Sequence, residues 1–509
     1  MTDMYDQDDH FDDEPEPYYF EPEPEPVVWA DTAVRRPSGC WLAIAIVLIL
    51  SLLASSLSGL YWLVNPGSES GRPPTAVPRP TRTAAPIVGL EELTVTATSP
   101  AFSAAPSLPT PTVNPALINR IAFIDNDGQI VTIAPDGSSS RRLTEGSTFF
   151  QFPAWSPDGR QIAAIGSNNL GGAVYVVADE ERRQGPLAEP LSLYLSRREA
   201  PFYLYWSPDG QTVSFLASDA QGMALYLAAA DGAAESRKRT TGGPLYWQWT
   251  ADSQQLLIHS GFAGPGSRLE LLDAAGDRDG DQIAAPGYFQ APGISGDGRL
   301  LAYAEELAAL SSRVVVNNLQ DGDSQTQLHE GRSILGLSPD ATWLAYISPD
   351  TPGETEFVGP LRLMHTATGE IRLLSRNDVA AFFWSPDGRY LAAFLPNLPG
   401  GDINAALPGK ISARMAGQNR LPTLNLVIFD AASGEGRQLL TFTPTRTFLT
   451  QLLPFFDQYA LSHRLWSPAG DALVLPMLED GRSAIYVVPI HGGGKRFLAE
   501  GSMAFWSQQ

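Results

Sequence analysis

Cysteine is nearly missing from this chain. Cys40 is the single thiol in 509 residues, which excludes an intrachain disulfide framework and a four-thiolate zinc site. Histidine is scarce too: His10, His259, His329, His365, His463 and His491 are scattered along the chain, without an H-E-x-x-H pair. Basic charge is short, with 34 Lys and Arg against 56 Asp and Glu and a formal charge of −22, which argues against a grip on nucleic acid or anionic lipid. No G-x-S-x-G elbow or phosphate loop occurs. Gly492, Gly493, Gly494 and Lys495 lack the earlier glycine and the Ser or Thr that a phosphate cradle needs, so they read as a turn. Asp277, Asp279 and Asp281 open like a calcium loop, but Gln282 and Tyr288 stand where the bend glycine and the bidentate carboxylate belong. No catalytic residue, cofactor or metal ligand is therefore expected.

What is present begins with an address. Residues 1–36 hold twelve Asp and Glu against Arg35 and Arg36, and this segment is too charged and Pro-rich to fold alone. It reads as a solvated acidic tail, with docking to a basic partner through Tyr5, Tyr18 and Tyr19 as the alternative. Within 37–64, the uncharged run 41–64 spans 24 residues. As a helix that is ~36 Å, enough for a ~30 Å hydrocarbon core, and it is too long for a signal-peptide core. Trp41, Tyr61 and Trp62 sit at its ends, as interfacial aromatics do. Cys40 precedes the run, whereas a lipoprotein cysteine follows one. Arg35 and Arg36 just before the span place the N-terminus in the cytoplasm and the bulk of the chain outside the cell membrane. Residues 65–117 hold eleven prolines and form no core; they read as a linker, on the order of 40 Å as a coil and ~160 Å as a polyproline rod.

Residues 118–509 repeat one pattern, seen as PAWSPDGRQIAAIG from Pro153, LYWSPDGQTVSFLA from Leu204 and FFWSPDGRYLAAFL from Phe382. The apolar position of the pattern is Trp155, Trp206, Trp249, Ile294, Leu337, Trp384, Trp466 and finally Trp506; its acidic position is Asp158, Asp209, Asp252, Asp297, Asp340 and Asp387. Spacings run mostly over 43–51 residues, with one of 82, the length of a four-stranded propeller blade. Ser-Pro-Asp-Gly suits a type I turn, since proline presets φ and glycine relieves the exit. The bulky apolar residues are expected to wedge between neighbouring blades. Before the first full copy, 121–124, 129–133 and 141–144 supply three strands without an innermost one, while 503–506 supply an innermost strand with nothing after it. Pairing these ends closes an all-β ring of eight four-stranded blades and removes the exposed sheet edges; seven blades is the alternative.

The repeated W-S-P-D-G followed by an apolar strand resembles the propeller repeat of the TolB family and its relatives in bacterial envelope proteins and peptidase propellers. The resemblance covers residues 118–509 and implies the fold. The family's N-terminal domain is replaced here by the apolar segment and linker, which sets a Tol-type translocation role aside.

Loop lengths select a face. With strands A to D running outward in each blade, the A-B and C-D turns share one face and read as short, while the B-C and D-A connections share the other. That second face is expected to hold the insertions 187–201, 351–360, 396–423 and 443–460. Phe448, Leu452, Phe455, Phe456 and Tyr459 make the candidate binding surface, read either as an aromatic lid or as a plug of the channel mouth. The expected function is that of a membrane-anchored extracytoplasmic propeller binding a protein, peptide or glycan without catalysis. A propeller lyase or glycosidase acting on an extracellular polymer, and a purely structural scaffold, are the rivals.

Overall fold

The Ser-Pro-Asp-Gly turn is the unit from which the molecule is built. Ser156 Oγ donates to Asp158 Oδ1 at 2.6 Å and accepts the Gln161 N–H at 2.9 Å, while the Gly159 N–H returns to Ser156 O at 2.9 Å. The same hydroxyl–carboxylate clasp recurs at Ser207–Asp209, Thr250–Asp252, Ser295–Asp297, Ser338–Asp340 and Ser385–Asp387. Where Ala469 replaces the aspartate, Asp471 takes over, bonding Ser467 Oγ at 2.6 Å. The residue after the aspartate is left-handed, with φ of 68° at Gly159; Ser253 and Ala341 hold φ of 61° and 58° there without glycine's freedom.

The computed structural model describes residues 119–508 except 180–186, 188, 220–221, 263–265, 278–279, 285, 288–289, 309–310, 331, 350–357 and 398–421. The acidic tail, the apolar run 41–64 and the linker 65–117 lie outside the described residues, and among the described residues no helix is long and apolar enough to cross a membrane.

Eight antiparallel sheets are present. From its innermost strand outward, blade 1 is Phe149–Trp155, Gln161–Asn168, Gly171–Ala178 and Leu191–Ser196; blade 2 is Ala200–Trp206, Thr212–Asp219, Gly222–Ala229 and Arg237–Gly242. Blade 3 is Leu245–Trp249, Gln255–Ser260, Arg268–Asp273 and Asp281–Ala284; blade 4 is Gly293–Ile294, Leu300–Ala308, Ser311–Asn318 and Ser324–Glu330. Blade 5 is Ile334–Leu337, Trp343–Ile347, Gly359–His365 and Ile371–Val379; blade 6 is Ala381–Trp384, Tyr390–Asn397, Thr423–Asp430 and Gly436–Phe442. Blade 7 departs from the expected four strands: outside Ala472–Glu479, Arg482–Pro489 and Arg496–Glu500, its innermost strand shrinks to a bridge between Trp466 and Leu473. The long insertion preceding it brings the chain in from a helix rather than from a strand.

Blade 8 joins the two ends of the ring, as the sequence predicts. Met503–Trp506 pairs with Ile121–Ile124 in the register Ile121↔Trp506 through Ile124↔Met503, and Ile130–Ile133 and Arg141–Arg142 complete the sheet. Alternation along Ile121–Ile124 serves both neighbours. Ile121 and Phe123 pack with Val474 and Ile485 of blade 7, whereas Ala122 and Ile124 pack with Phe150 and Trp155 of blade 1. An ion cluster reinforces the seam: Asp179, fully buried after the third strand of blade 1, meets Arg120 at 3.0 Å and Arg141 at 2.8 Å.

The motif tryptophans do more than fill space. Four of them reach the preceding blade, where the indole N–H donates to the carbonyl just before the equivalent motif position. Trp206 bonds Ala154 O at 2.9 Å, Trp384 bonds Gly336 O at 3.0 Å, Trp466 bonds Phe383 O at 2.9 Å and Trp155 bonds Phe505 O at 3.3 Å. Trp249 uses Ser214 Oγ, which itself bonds Tyr205 O at 2.6 Å. Trp506 bonds Asn119 Oδ1 at 2.7 Å. Ile294 has no such donor, and Gln248 of blade 3 instead bonds both its N–H and its carbonyl.

One loop assignment is corrected. Residues 191–196 form the outermost strand of blade 1, so the insertion read as 187–201 falls between its third and fourth strands, on the face of the Ser-Pro-Asp-Gly turns. The D-A connection there is only 197–199. Leu191 and Leu195 stand exposed at the rim of that strand while Leu193 is buried.

Trp206→Phe keeps the ring but orphans the Ala154 carbonyl, and is expected to cost about 1–3 kcal/mol; Trp206→Ala, which adds a cavity, is expected to cost about 3–5 kcal/mol in denaturant titrations. Asp179→Ala, leaving two arginines without their shared carboxylate, is expected to cost about 3–5 kcal/mol in the same assay.

Candidate functional site

The connection from blade 6 to blade 7 does not stay on the surface. After Phe442 the chain makes a wide helical turn at Phe448–Leu452, a tight one at Leu453–Phe455, and an α-helix, α1, at Phe456–Ser462. The apolar residues Phe448, Leu449, Leu452, Leu453, Phe456 and Tyr459 fall three or four apart in pairs, a helical stripe, and all are buried. Helix α1 lies on the ring axis. Tyr459 stacks on Phe152 of blade 1 at 5.0 Å between centroids and meets Tyr203 of blade 2 edge-on at 5.1 Å, while Phe456 packs on Phe382 of blade 6 at 5.1 Å.

Of the five residues chosen as a binding surface, Phe448, Leu452, Phe456 and Tyr459 are therefore core. Phe455 alone stands out, 42% exposed. In the described conformation the segment is a plug rather than an open lid.

The plug is tied by polar groups that the sequence did not single out. An innermost strand has no partner on its axial edge, so its N–H and C=O groups need another. Gln458 supplies both at Trp247, accepting the backbone N–H at 3.0 Å and donating to the carbonyl at 2.9 Å, as a further strand would. Asp457 Oδ2 accepts the Ala291 N–H at 2.7 Å. Tyr203 Oη lies 2.8 Å from Ser462 Oγ and 3.0 Å from Gln458 O. His463 Nδ1 is 2.7 Å from Ser462 Oγ and its Nε2 is 3.3 Å from Phe152 O. A carbonyl only accepts, so Nε2 carries the proton and Nδ1 receives the serine hydroxyl.

Burial sets the protonation of this layer. It pushes the Asp457 carboxyl up to about 6 against the pull of the Ala291 and Gln458 amides, and it pushes His463 down to about 3 despite the Phe152 carbonyl. His259, beside the Gln290 carbonyl, is pushed down to about 4 for the same reason. The Tyr203, Tyr246 and Tyr459 hydroxyls are all raised by burial. Such an arrangement keeps the imidazoles and phenols neutral and ties each polar group of the plug to the innermost strands.

Around the plug, the B-C and D-A connections form the loop face. Phe149, Leu170, Phe262 and Leu307 stand exposed there with Phe455. Residues 350–357 and 398–421, expected on this face from the sequence, lie outside the described residues. Of the calcium-like run, Asp277 is paired with Arg237 at 2.9 Å and Asp279 lies outside the described residues. Gly492, Gly493 and Gly494 lie in the turn between the last two strands of blade 7. A separate depression of about 420 Å³ on blade 7, lined by Glu479, Arg482, Tyr486 and Phe497, lies on strands outside the innermost one.

The raised carboxyl of Asp457 carries a sign. Relative to an unfolded value near 4, its burial costs nothing while both states are protonated and destabilises the fold as pH rises through 6. Asp457→Asn is expected to match the parent at pH 4 and to exceed its stability by about 2–3 kcal/mol at pH 8. His463 and His259 act oppositely, lowering stability as pH falls below 6.5, and cancel in this comparison. Paired denaturant titrations at the two pH values provide the check.

No family model matches this chain, and no curated protein does. Among solved structures it is similar to TolB from Acinetobacter baumannii, at 18% identity over 50% of this chain and 65% of that one, with a TM-score of 0.32. It is also similar to an oligogalacturonate lyase in complex with manganese, at 14% identity over 74% and 83% of the two chains and a TM-score of 0.39. The dihydro-heme d1 dehydrogenase NirN in complex with DHE follows at 13% identity over 79% and 77%, with a TM-score of 0.47. The propeller itself rests on the eight sheets of this chain.

Proposed function

We propose that this chain is a membrane-anchored, extracytoplasmic propeller that binds a protein, peptide or glycan on its loop face and does no chemistry on it. The run 41–64 and the Pro-rich 65–117 support the anchor and the stand-off from the bilayer. The observation that carries the rest is the engagement of the axial side chains. Asp457, Gln458 and His463, the groups a ring-centre reaction would draw on, hold α1 to Ala291, Trp247 and Phe152. Binding then falls to the rim of the plug, where Phe455 and the exposed apolar residues of the loop face stand above a rigid ring. The insertions at 351–360 and 396–423 add reach on the same side.

Crosslinking from a photoreactive group at Phe455 in native membranes is expected to capture a partner, and deletion of 398–421 together with Phe455→Ser to lose it. Capture that survives both changes contradicts the loop face. Turnover of a glycan or peptide panel by the full chain, abolished by Asp457→Asn in a folded variant, would establish the lyase or glycosidase reading instead.

A further inference from the structure

Two blades of the ring carry the same three-residue constellation, and a neighbour completes it at only one of them. At blade 2, Glu199 Oε2 accepts the Tyr226 hydroxyl, Glu199 Oε1 accepts Lys238 Nζ at 3.2 Å, and that ammonium stands 5.3 Å from the Tyr226 ring centroid. At blade 7, Glu479 Oε2 accepts the Tyr486 hydroxyl, Glu479 Oε1 accepts Lys495 Nζ at 2.8 Å, and the ammonium stands 4.5 Å from the Tyr486 ring centroid. The two tyrosines are register equivalents. Each is the fifth residue of its third strand and directly follows a bulge in the pairing with the fourth.

What differs is the preceding blade. Blade 1 sends Tyr194 of its outermost strand onto blade 2, with its ring 5.2 Å from that of Tyr226 and its hydroxyl 3.3 Å from Glu199 Oε2 as a third donor. The equivalent residue of blade 6 is Leu440. Tyr194 pairs with Val174 and Leu440 with Leu426, each the fourth residue of its third strand and each beside a bulge. Leucine has neither ring nor hydroxyl, so among the described residues Glu479 receives two side-chain donors where Glu199 receives three. Ile485 and Val487 pack toward blade 8, which turns Ala484 and Tyr486 to the blade 6 side. There the surface sinks into the depression of about 420 Å³ lined by Glu479, Asp480, Arg482, Tyr486, Phe497 and Glu500. Phe497 meets Tyr486 edge-on at 5.8 Å and remains 54% exposed.

We infer that the blade 7 depression is a docking site for the tyrosine side chain of a partner polypeptide, which brings from outside the ring and hydroxyl that Tyr194 brings to blade 2 from within. The phenol packs against Phe497 and Tyr486, and its O–H donates to Glu479, whose carboxylate has acceptor capacity beyond its two present donors. Charge selects the residues beside that tyrosine. Three carboxylates line the depression against Arg482 and the Lys495 that Glu479 holds, and residues 118–509 carry a net −12. Lysine or arginine next to the tyrosine is therefore favoured, and an acidic neighbour is disfavoured. The site is separate from the plug rim at Phe455, and failure of capture there leaves it standing.

Ligand-observed NMR titration of the full chain in detergent tests this with four probes: N-acetyl-tyrosinamide, N-acetyl-phenylalaninamide, and capped Lys-Tyr-Lys and Glu-Tyr-Glu. The tyrosinamide is expected to bind with Kd of ~1–10 mM, the range of one anchoring side chain, and the phenylalaninamide at least about tenfold more weakly for want of a donor to the carboxylate. Lys-Tyr-Lys is expected to bind about threefold or more tighter than the tyrosinamide, and Glu-Tyr-Glu more weakly. Leu440→Tyr, which rebuilds the arrangement of blade 1, is expected to abolish binding, and Phe497→Ser at the exposed wall to weaken it at least about fivefold. Thermal melts verify that both variants are folded. Should Leu440→Tyr fail to fold, Phe497→Ser and the comparison of the two amides still decide. Equal affinity of the two amides, no uptake of any probe, or binding unchanged in the folded variants would overturn the inference. Equal affinity of the tyrosinamide and Lys-Tyr-Lys would overturn the assignment to a polypeptide and leave a small phenol as the ligand.

Discussion

Four blades of this ring are held to the one before by a repeated contact: the tryptophan of the innermost strand reaches back and its indole N–H caps a carbonyl on the neighbour's. A propeller blade is a small sheet with two apolar faces, and neither face is buried until a neighbour arrives. The indole does both jobs, adding a large buried area between the sheets and fixing their relative register through one N–H. Where the chain substitutes Ile294, Gln248 makes the bond from the other side; where it uses Trp249, Ser214 relays it. At Leu337 the contact to the preceding blade is apolar packing. Linkage of this kind also makes the ring interdependent, because a chain of such contacts has two unsatisfied ends unless the last blade meets the first.

That requirement explains blade 8. Strands from both ends of the propeller share one sheet, so that Ile121–Ile124 packs outward to both neighbours and Arg120, Arg141 and Asp179 tie the seam. Closure creates a second problem at the centre, where the innermost strands turn backbone edges toward the axis. Helix α1 answers it at the loop end with side chains that imitate a strand partner, Gln458 most directly. The cost is a buried carboxyl, raised to about 6, and a buried imidazole held neutral by desolvation.

The ring was legible because its signal is repeated and local. Ser-Pro-Asp-Gly dictates a turn by its own backbone chemistry, a tryptophan before it marks the innermost strand, and the incomplete copies at 121–144 and 503–506 imply each other. The axis was less legible because it depends on contacts between residues far apart in sequence. Phe448, Leu452, Phe456 and Tyr459 read as a binding surface since they sit in an insertion, and insertions normally lie on the surface. Their three-and-four spacing was the available sign that they formed a helix with a face to bury. Nothing in the local sequence marks Gln458 or Asp179, whose roles appear only when segments far apart in sequence are brought together.

Native-state hydrogen exchange across the terminal seam tests the closed ring most directly. If the ends are one sheet and each blade depends on the next, the amides of Ile121–Ile124 and Met503–Trp506 share one opening free energy, with the same denaturant dependence as the innermost strands of blades 1 and 6. Free exchange of Met503–Trp506 while those blades stay protected would contradict it.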